Sequence, residues 1–174
     1  MTHPREPQSR IISKDSAGKV TVRTADVEGA AALTDPRLQQ QLDALRGQRL
    51  SQYSISRFDP ALTLSFWGEP ATMPSRTIQI EEDTIEITPP GQQPRQVPAR
   101  SELIATTLLD TLGHRLSQIE ISNGHLRLTF GNSVQLDVAP HQQWEDWQIY
   151  SEDGLEIVCV PGGELTIFYP GPSH

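Results

Sequence analysis

Acid–base chemistry needs a histidine or carboxylate held against a second polar group, and this chain offers few such groups. Its carboxylates gather in two places: Glu81-Glu82-Asp83 with Glu86 close behind, and Glu145-Asp146. His141 stands ahead of the second group, with Trp144 and Trp147 following it. An enzyme built from these parts would bring His141, Glu145 or Glu164 into one cleft with perturbed acidity. Strand alternation instead divides Glu81, Glu82, Asp83 and Glu86 between two faces, so a solvated edge is their expected setting. The other histidines are placed less well. His114 precedes a strand, His125 sits in a turn, and His3 and His174 lie at the chain ends.

A metal site needs converging His, Cys or carboxylate ligands. The one cysteine, Cys159, lies in the apolar stretch 155–160. It reads as a buried, inert thiol and excludes an intramolecular disulfide. No Gly-x-Ser-x-Gly, P-loop or dinucleotide-binding pattern occurs. Gly162-Gly163 stands between two strands with no helix after it, so it is a hairpin turn rather than a phosphate cradle. The expectation is a protein without catalytic residues, cofactor or metal.

Recognition chemistry is better represented. Trp147, Ile149 and Leu155 are expected to face the core, which leaves Trp144 near the surface beside Glu145 and Asp146. An exposed tryptophan flanked by acids can anchor a basic protein partner; the competing reading is that both tryptophans plug the end of a sheet. Trp67 and Glu69, at the entrance to the proline-containing loop 68–76, form a second candidate patch. The candidate partner-binding set is therefore Trp67, Glu69, His141, Trp144, Glu145 and Asp146.

The elements that position these residues come in two similar runs. The tetrapeptide Arg-Leu-Ser-Gln occurs at 49–52 and again at 115–118. Each copy follows a leucine-rich helical stretch that ends at a glycine, Gly47 or Gly113. In the first, Asp35 can cap, Pro36 suits the first helical position, and Leu38, Leu42 and Leu45 make one stripe, predicting a helix over 36–46. In the second, Ser101 caps, and Leu103, Ile104, Leu108, Leu109 and Leu112 form the apolar side. Each copy then leads into strands, with Leu62, Leu64 and Phe66 matching Leu126, Leu128 and Phe130. Residues 77–81 match 133–137 as a third strand. Asp83-Thr84 is expected to turn 77–81 into a fourth strand at Ile85 and Ile87, as a hairpin. Asn123-Gly124 is a strong hairpin signal. The proline-rich 89–98 is a loop or linker. Strands at 155–160 and 164–169 close the chain.

These features predict an α+β protein, mainly antiparallel β. Two repeated helix-plus-meander units would form a packed or curled sheet with pseudo-twofold symmetry. The expected organisation is a flexible arm at 1–18, repeat one at 19–98 and repeat two at 99–174, in one compact domain.

The chain has 174 residues and a formal net charge of −8. That charge argues against nucleic acid, whose binders carry a basic stripe, and against an anionic membrane surface. It suits a basic protein partner. No apolar run approaches membrane-spanning length, and residues 1–10 are polar with no apolar segment behind them. The cytoplasm is the expected compartment.

The C-terminal half resembles a group of bacterial proteins that share a domain of unknown function. The resemblance rests on Gly113, Leu116, Gly124-x-Leu126-x-Leu128-x-Phe130, the 134–138 strand, Trp144-Glu145-Asp146-Trp147 and Pro161-Gly162-Gly163-Glu164-Leu165. Ile78-x-Ile80-Glu81 fits as well. Its most specific part is an aromatic-Glu-x-Trp followed by Pro-Gly-Gly, and it spans roughly 45–168. Asn132 departs from an Asp-Gly turn common in the group. The resemblance implies no established activity.

Taken together, the residues point to a non-enzymatic protein-binding module, in its concrete form a small cytoplasmic immunity or inhibitor protein that neutralises a basic toxin by direct binding. The alternative is a small-ligand-binding accessory domain with a pocket between the repeats.

Overall fold

The structure is a computed structural model that describes residues 10–14, 19–23, 35–68 and 73–169. In chain order the elements are β1 (Arg10–Lys14), β2 (Lys19–Arg23), α1 (Pro36–Leu45), β3 (Arg49–Ile55), β4 (Leu62–Trp67), β5 (Arg76–Ile80), β6 (Thr84–Thr88) and β7 (Arg95–Pro98). They continue with α2 (Glu102–Thr111), β8 (Leu116–Ser122), β9 (His125–Phe130), β10 (Gln135–Val138), β11 (Trp147–Ser151), β12 (Glu156–Cys159) and β13 (Leu165–Phe168).

The strands form two antiparallel sheets, of order β1-β2-β13-β12-β11-β5-β4-β3 and β7-β6-β10-β9-β8. The fold is α+β, mostly antiparallel β with two helices. Alternation along the central strands, such as β4, β5, β9 and β12, sends one apolar face inward. Leu62, Leu64, Phe66, Ile78 and Ile80 from the larger sheet share one buried cluster with Ile85, Ile87, Leu126, Leu128, Phe130 and Leu136 from the smaller. The rings of Phe66 and Phe130 stack across it at 6.3 Å and 8°. Among the described residues no helix is long and apolar enough to cross a membrane.

The helices start and stop where local chemistry dictates. Asp35 accepts from the Arg37 amide at 2.9 Å and Pro36 opens α1. Ser101 accepts from the Ile104 amide at 3.4 Å. Both helices are followed by a glycine at positive φ, Gly47 at 88° and Gly113 at 80°, a conformation that costs glycine nothing. α1 buries Leu38, Leu42 and Leu45 as expected. α2 turns differently: its buried stripe is Ile104, Thr107, Leu108 and Thr111, while Leu109 and Leu112 are exposed. Thr111 can point inward because its hydroxyl finds partners. Thr111 donates to the Thr107 carbonyl at 2.7 Å and accepts from Asn132 at 3.1 Å.

Three further expectations change. β5 and β6 do not form a hairpin. β5 pairs with β4 and β11, and β6 pairs with β7 and β10. A two-residue hairpin turn favours residues at positive φ, and none occurs between Glu81 and Thr84; the segment is a crossover between sheets. The proline-rich stretch 89–98 turns at Gly91 and then becomes β7, an edge strand, where a proline lacking its N–H is tolerated. β1 lies within the expected arm and pairs with β2; residues 1–9 and 15–18 lie outside the described residues.

Each sheet takes strands from both parts of the chain. The β6–β7 hairpin extends the β8–β9–β10 meander, and the β11–β12 hairpin extends the β3–β4–β5 meander. α1 packs on β8, and α2 on β3, where the Tyr53 hydroxyl donates to the Ala105 carbonyl at 2.9 Å. The two Arg-Leu-Ser-Gln copies touch, with Arg49 bridged to Arg115. The Arg49 guanidinium donates to the Gly113 carbonyl at 2.9 Å, and that of Arg115 to the Gly47 carbonyl at 2.8 Å. The Gly47 amide donates to the Leu116 carbonyl at 2.7 Å, and the Gly113 amide to the Leu50 carbonyl at 2.8 Å.

Candidate functional site

Two crossovers carry the chain between sheets, 81–83 from β5 to β6 and 139–146 from β10 to β11. They meet where the Glu81 amide donates to the Asp146 carbonyl at 2.8 Å. The turn between β3 and β4 adjoins them, held by Arg100. Its Nε donates to the Ser56 carbonyl at 2.6 Å, one terminal nitrogen reaches Asp59 at 3.3 Å, and the other pairs with Asp83. Between these segments lies a cleft of about 550 Å³ lined by Asp59, Glu81, Glu82, Asp83, His141, Gln143, Trp144 and Glu145. A second hollow, lined by Arg57, Phe58, Asp59, Asp83 and Arg100, adjoins it. Phe58 is 81% exposed and Trp144 65%.

The cleft is electrically lopsided. Arg100 pairs with both Asp59 and Asp83 at one end and offsets part of their charge. Burial holds the Glu81 carboxyl above the usual carboxylate range, and Glu145, Asp59 and Asp146 push it the same way. Beneath the cleft, Asp146 is fully buried. One of its oxygens accepts from the His141 amide at 2.6 Å, while the other has no hydrogen-bond partner. Burial raises its carboxyl, the His141 amide opposes this, and Glu82, within hydrogen-bonding reach, raises it further; the net direction is upward. His141 stacks with Trp144 at 6.2 Å between ring centroids, and its Nδ1 accepts from the Gln143 amide at 3.1 Å.

The support under the cleft is a knot of turns. The Trp147 indole donates to the Gly124 carbonyl at 2.8 Å. The Gly162 amide donates to the His141 carbonyl at 2.8 Å. Gly124 and Gly163 are pressed together, such that a Cβ on Gly124 would lie 2.3 Å from the Gly163 Cα. Cys159 is buried, and burial first, then Asp146, push its thiol up to about 12, so it stays protonated and inert. Among the described residues, no three His, Cys, Asp or Glu side chains are grouped to hold a metal ion.

The candidate residues divide. His141, Trp144 and Glu145 line the cleft. Asp146 does not reach the surface: the alternation of β11 would turn it outward with Gln148, but it precedes the strand, where its carboxyl accepts from the His141 amide and its own amide donates to the Cys159 carbonyl at 3.4 Å. Trp67 is 68% exposed; it lies at the end of β4 away from Leu62, whose partner Ile80 leads into the cleft. Glu69 lies outside the described residues. Glu164, weighed with His141 for acid–base work, is not part of the cleft lining. Sequence reasoning missed Asp59, Glu81, Glu82 and Asp83 as members of one site. The run 81–83 was a visible signal once its hairpin is replaced by a crossover; Asp59 and Phe58 had none.

No curated protein and no solved structure matches the chain. The pattern of the Family of unknown function (DUF6188) matches residues 41–169, close to the 45–168 span of the resemblance. That match covers most of the chain, and the chain belongs to this family of unknown function, DUF6188.

Proposed function

We propose that this protein is a non-enzymatic protein-binding module that presents the acidic, aromatic-edged cleft to a basic protein. One observation carries the reading: Glu81, Glu82 and Glu145 share a cleft with exposed Trp144, next to exposed Phe58. Aromatic anchors set among charges are the usual centres of binding energy, and a complementary field steers a basic partner in. The net charge of −8 supports a protein rather than a nucleic acid as the partner.

In its specific form the module is a cytoplasmic inhibitor that neutralises a toxin by covering its basic active site. The test is co-expression with the proteins encoded beside it, followed by purification and a protection assay. Capture of a basic neighbour and relief of its toxicity are expected; failure to bind any of them would sink the inhibitor form.

A second reading has its own support. The cleft lies where segments from both halves of the chain meet, so it can instead hold a small cationic ligand, as an accessory domain would. The reciprocal contacts of Arg49 with Gly113 and Arg115 with Gly47 support a duplicated scaffold. In that reading the cleft grew where the two copies differ, since the crossover 81–83 is short and 139–146 is long.

A further inference from the structure

We propose that the end of the cleft formed by Glu81, Glu82 and Glu145 above buried Asp146 is a receptor for one guanidinium group, an arginine side chain of the partner, with the indole of Trp144 as its stacking face. This rests on the binding reading above and names the chemistry that the site takes.

Three observations lead to it. First, the chain already shows how this rim treats a guanidinium. Arg100 lies across Asp59 and Asp83 with its Nε on the Ser56 carbonyl. The fork geometry of arginine suits paired carboxylates in a way the point charge of lysine does not. Second, the other end carries the same type of acceptors without a cation. Among the described residues, no arginine or lysine makes an ion pair with Glu81, Glu82 or Glu145. Third, Asp146 is fully buried and keeps one oxygen without a partner. It lies directly under the lining, accepting from the His141 amide and reaching Glu82. A buried, unpaired carboxylate oxygen is costly, and a cation bound above it would offset that cost. Trp144, stacked on His141 and otherwise open to solvent, offers the flat face on which guanidinium groups rest.

The probe is argininamide, titrated into the full chain and each variant by calorimetry, with the Trp144 indole signal followed by NMR wherever that residue is kept and lysinamide in parallel. Saturable binding is expected, at least threefold tighter for argininamide. Trp144→Ala and Glu82→Gln should each weaken it about tenfold or more. Glu145→Gln, at an exposed position, should weaken it severalfold without touching the fold. Argininamide that fails to saturate, binds no better than lysinamide, or binds Trp144→Ala and Glu145→Gln as well as the parent overturns the proposal. The two readings fail separately. Partner capture without argininamide binding removes this inference alone; argininamide binding with no protein partner removes the protein-binding reading and leaves a small-ligand site.

Discussion

The indole N–H of Trp147 donates to the carbonyl oxygen of Gly124 at 2.8 Å. Trp147 opens β11 in the larger sheet, and Gly124 turns β8 into β9 in the smaller, so one buried hydrogen bond fastens the two sheets at the cleft end. Replacing Trp147 with Phe keeps most of the apolar volume and removes the donor. The Gly124 carbonyl would then keep only the weak Cys159 thiol at 3.5 Å. Leaving a buried acceptor undersatisfied costs about 1–3 kcal/mol, with a packing loss added. Urea unfolding should show a lower midpoint with an unchanged slope. A stability within about 0.5 kcal/mol of the parent would show that water replaces the indole there.

Gly124 and Gly163 make a steric prediction. Gly124 has a φ of 77°, and a Cβ on it would sit 2.3 Å from the Gly163 Cα. Backbone cannot swing aside as a side-chain tip can. Gly162 has a φ of 84° but open space around its Cβ position. Both substitutions to alanine pay for left-handed backbone, roughly 1 kcal/mol; only Gly124→Ala also forces two turns apart. Thermal melts should place Gly124→Ala well below Gly162→Ala. Equal melting temperatures would mean that the contact between the turns relaxes at little cost.

Much of this scaffold can be read from local sequence, and its failures share one cause. Helix caps at Asp35 and Ser101, glycine stops at 47 and 113, and the inward faces of β4 and β9 all depend on neighbours a few residues away. Pairing does not. Alternation at Ile78, Ile80, Ile85 and Ile87 says which side chains point inward and nothing about which sheet receives them. So the hairpin expected at Asp83 is a crossover, and the carboxylates expected on a solvated edge meet Glu145 from far along the chain. Trp144 and His141 were legible because aromatic and acidic types sit side by side. Asp59 joins them only through tertiary structure, and Asp146 is buried where the 139–146 crossover meets the Glu81 amide and the Cys159 carbonyl, both distant in sequence.

Trp144 should matter to binding and little to folding. It is 65% exposed and rests on the His141 ring, so truncation leaves no cavity in the core. Trp144→Ala should change stability by less than about 0.5 kcal/mol. The same change should weaken a partner that docks on the cleft by about 2 kcal/mol or more, the scale of an aromatic anchor. Trp67→Ala, at the other end of β4, is the control. Calorimetric titration of each variant decides it: equal losses would move the interface toward Trp67, and no loss in either would place it elsewhere.

Asp146→Asn should stabilise the protein near neutral pH. The Asp146 carboxyl is held above its usual range mainly by burial and by Glu82. A carboxyl whose folded pKa exceeds its unfolded one binds protons more tightly when folded, so its contribution to stability falls as pH rises from the unfolded pKa through the folded one. Glu81 is shifted the same way and adds to the trend. The groups that face Asp146 are Glu82 and Glu81 from the 81–83 crossover, His141 from its own segment and the protonated Cys159 from β12. Asparagine keeps an oxygen for the His141 amide, turns an N–H toward Glu82, and carries no charge to bury. The gain over the parent should therefore be largest at neutral pH, shrink as pH falls through the raised folded pKa, and be gone by pH about 4, the unfolded value. Chemical unfolding of both proteins across that range tests the sign. A loss of stability in Asp146→Asn at neutral pH would mean that the buried charge is itself paired, and that the knot beneath the cleft depends on it.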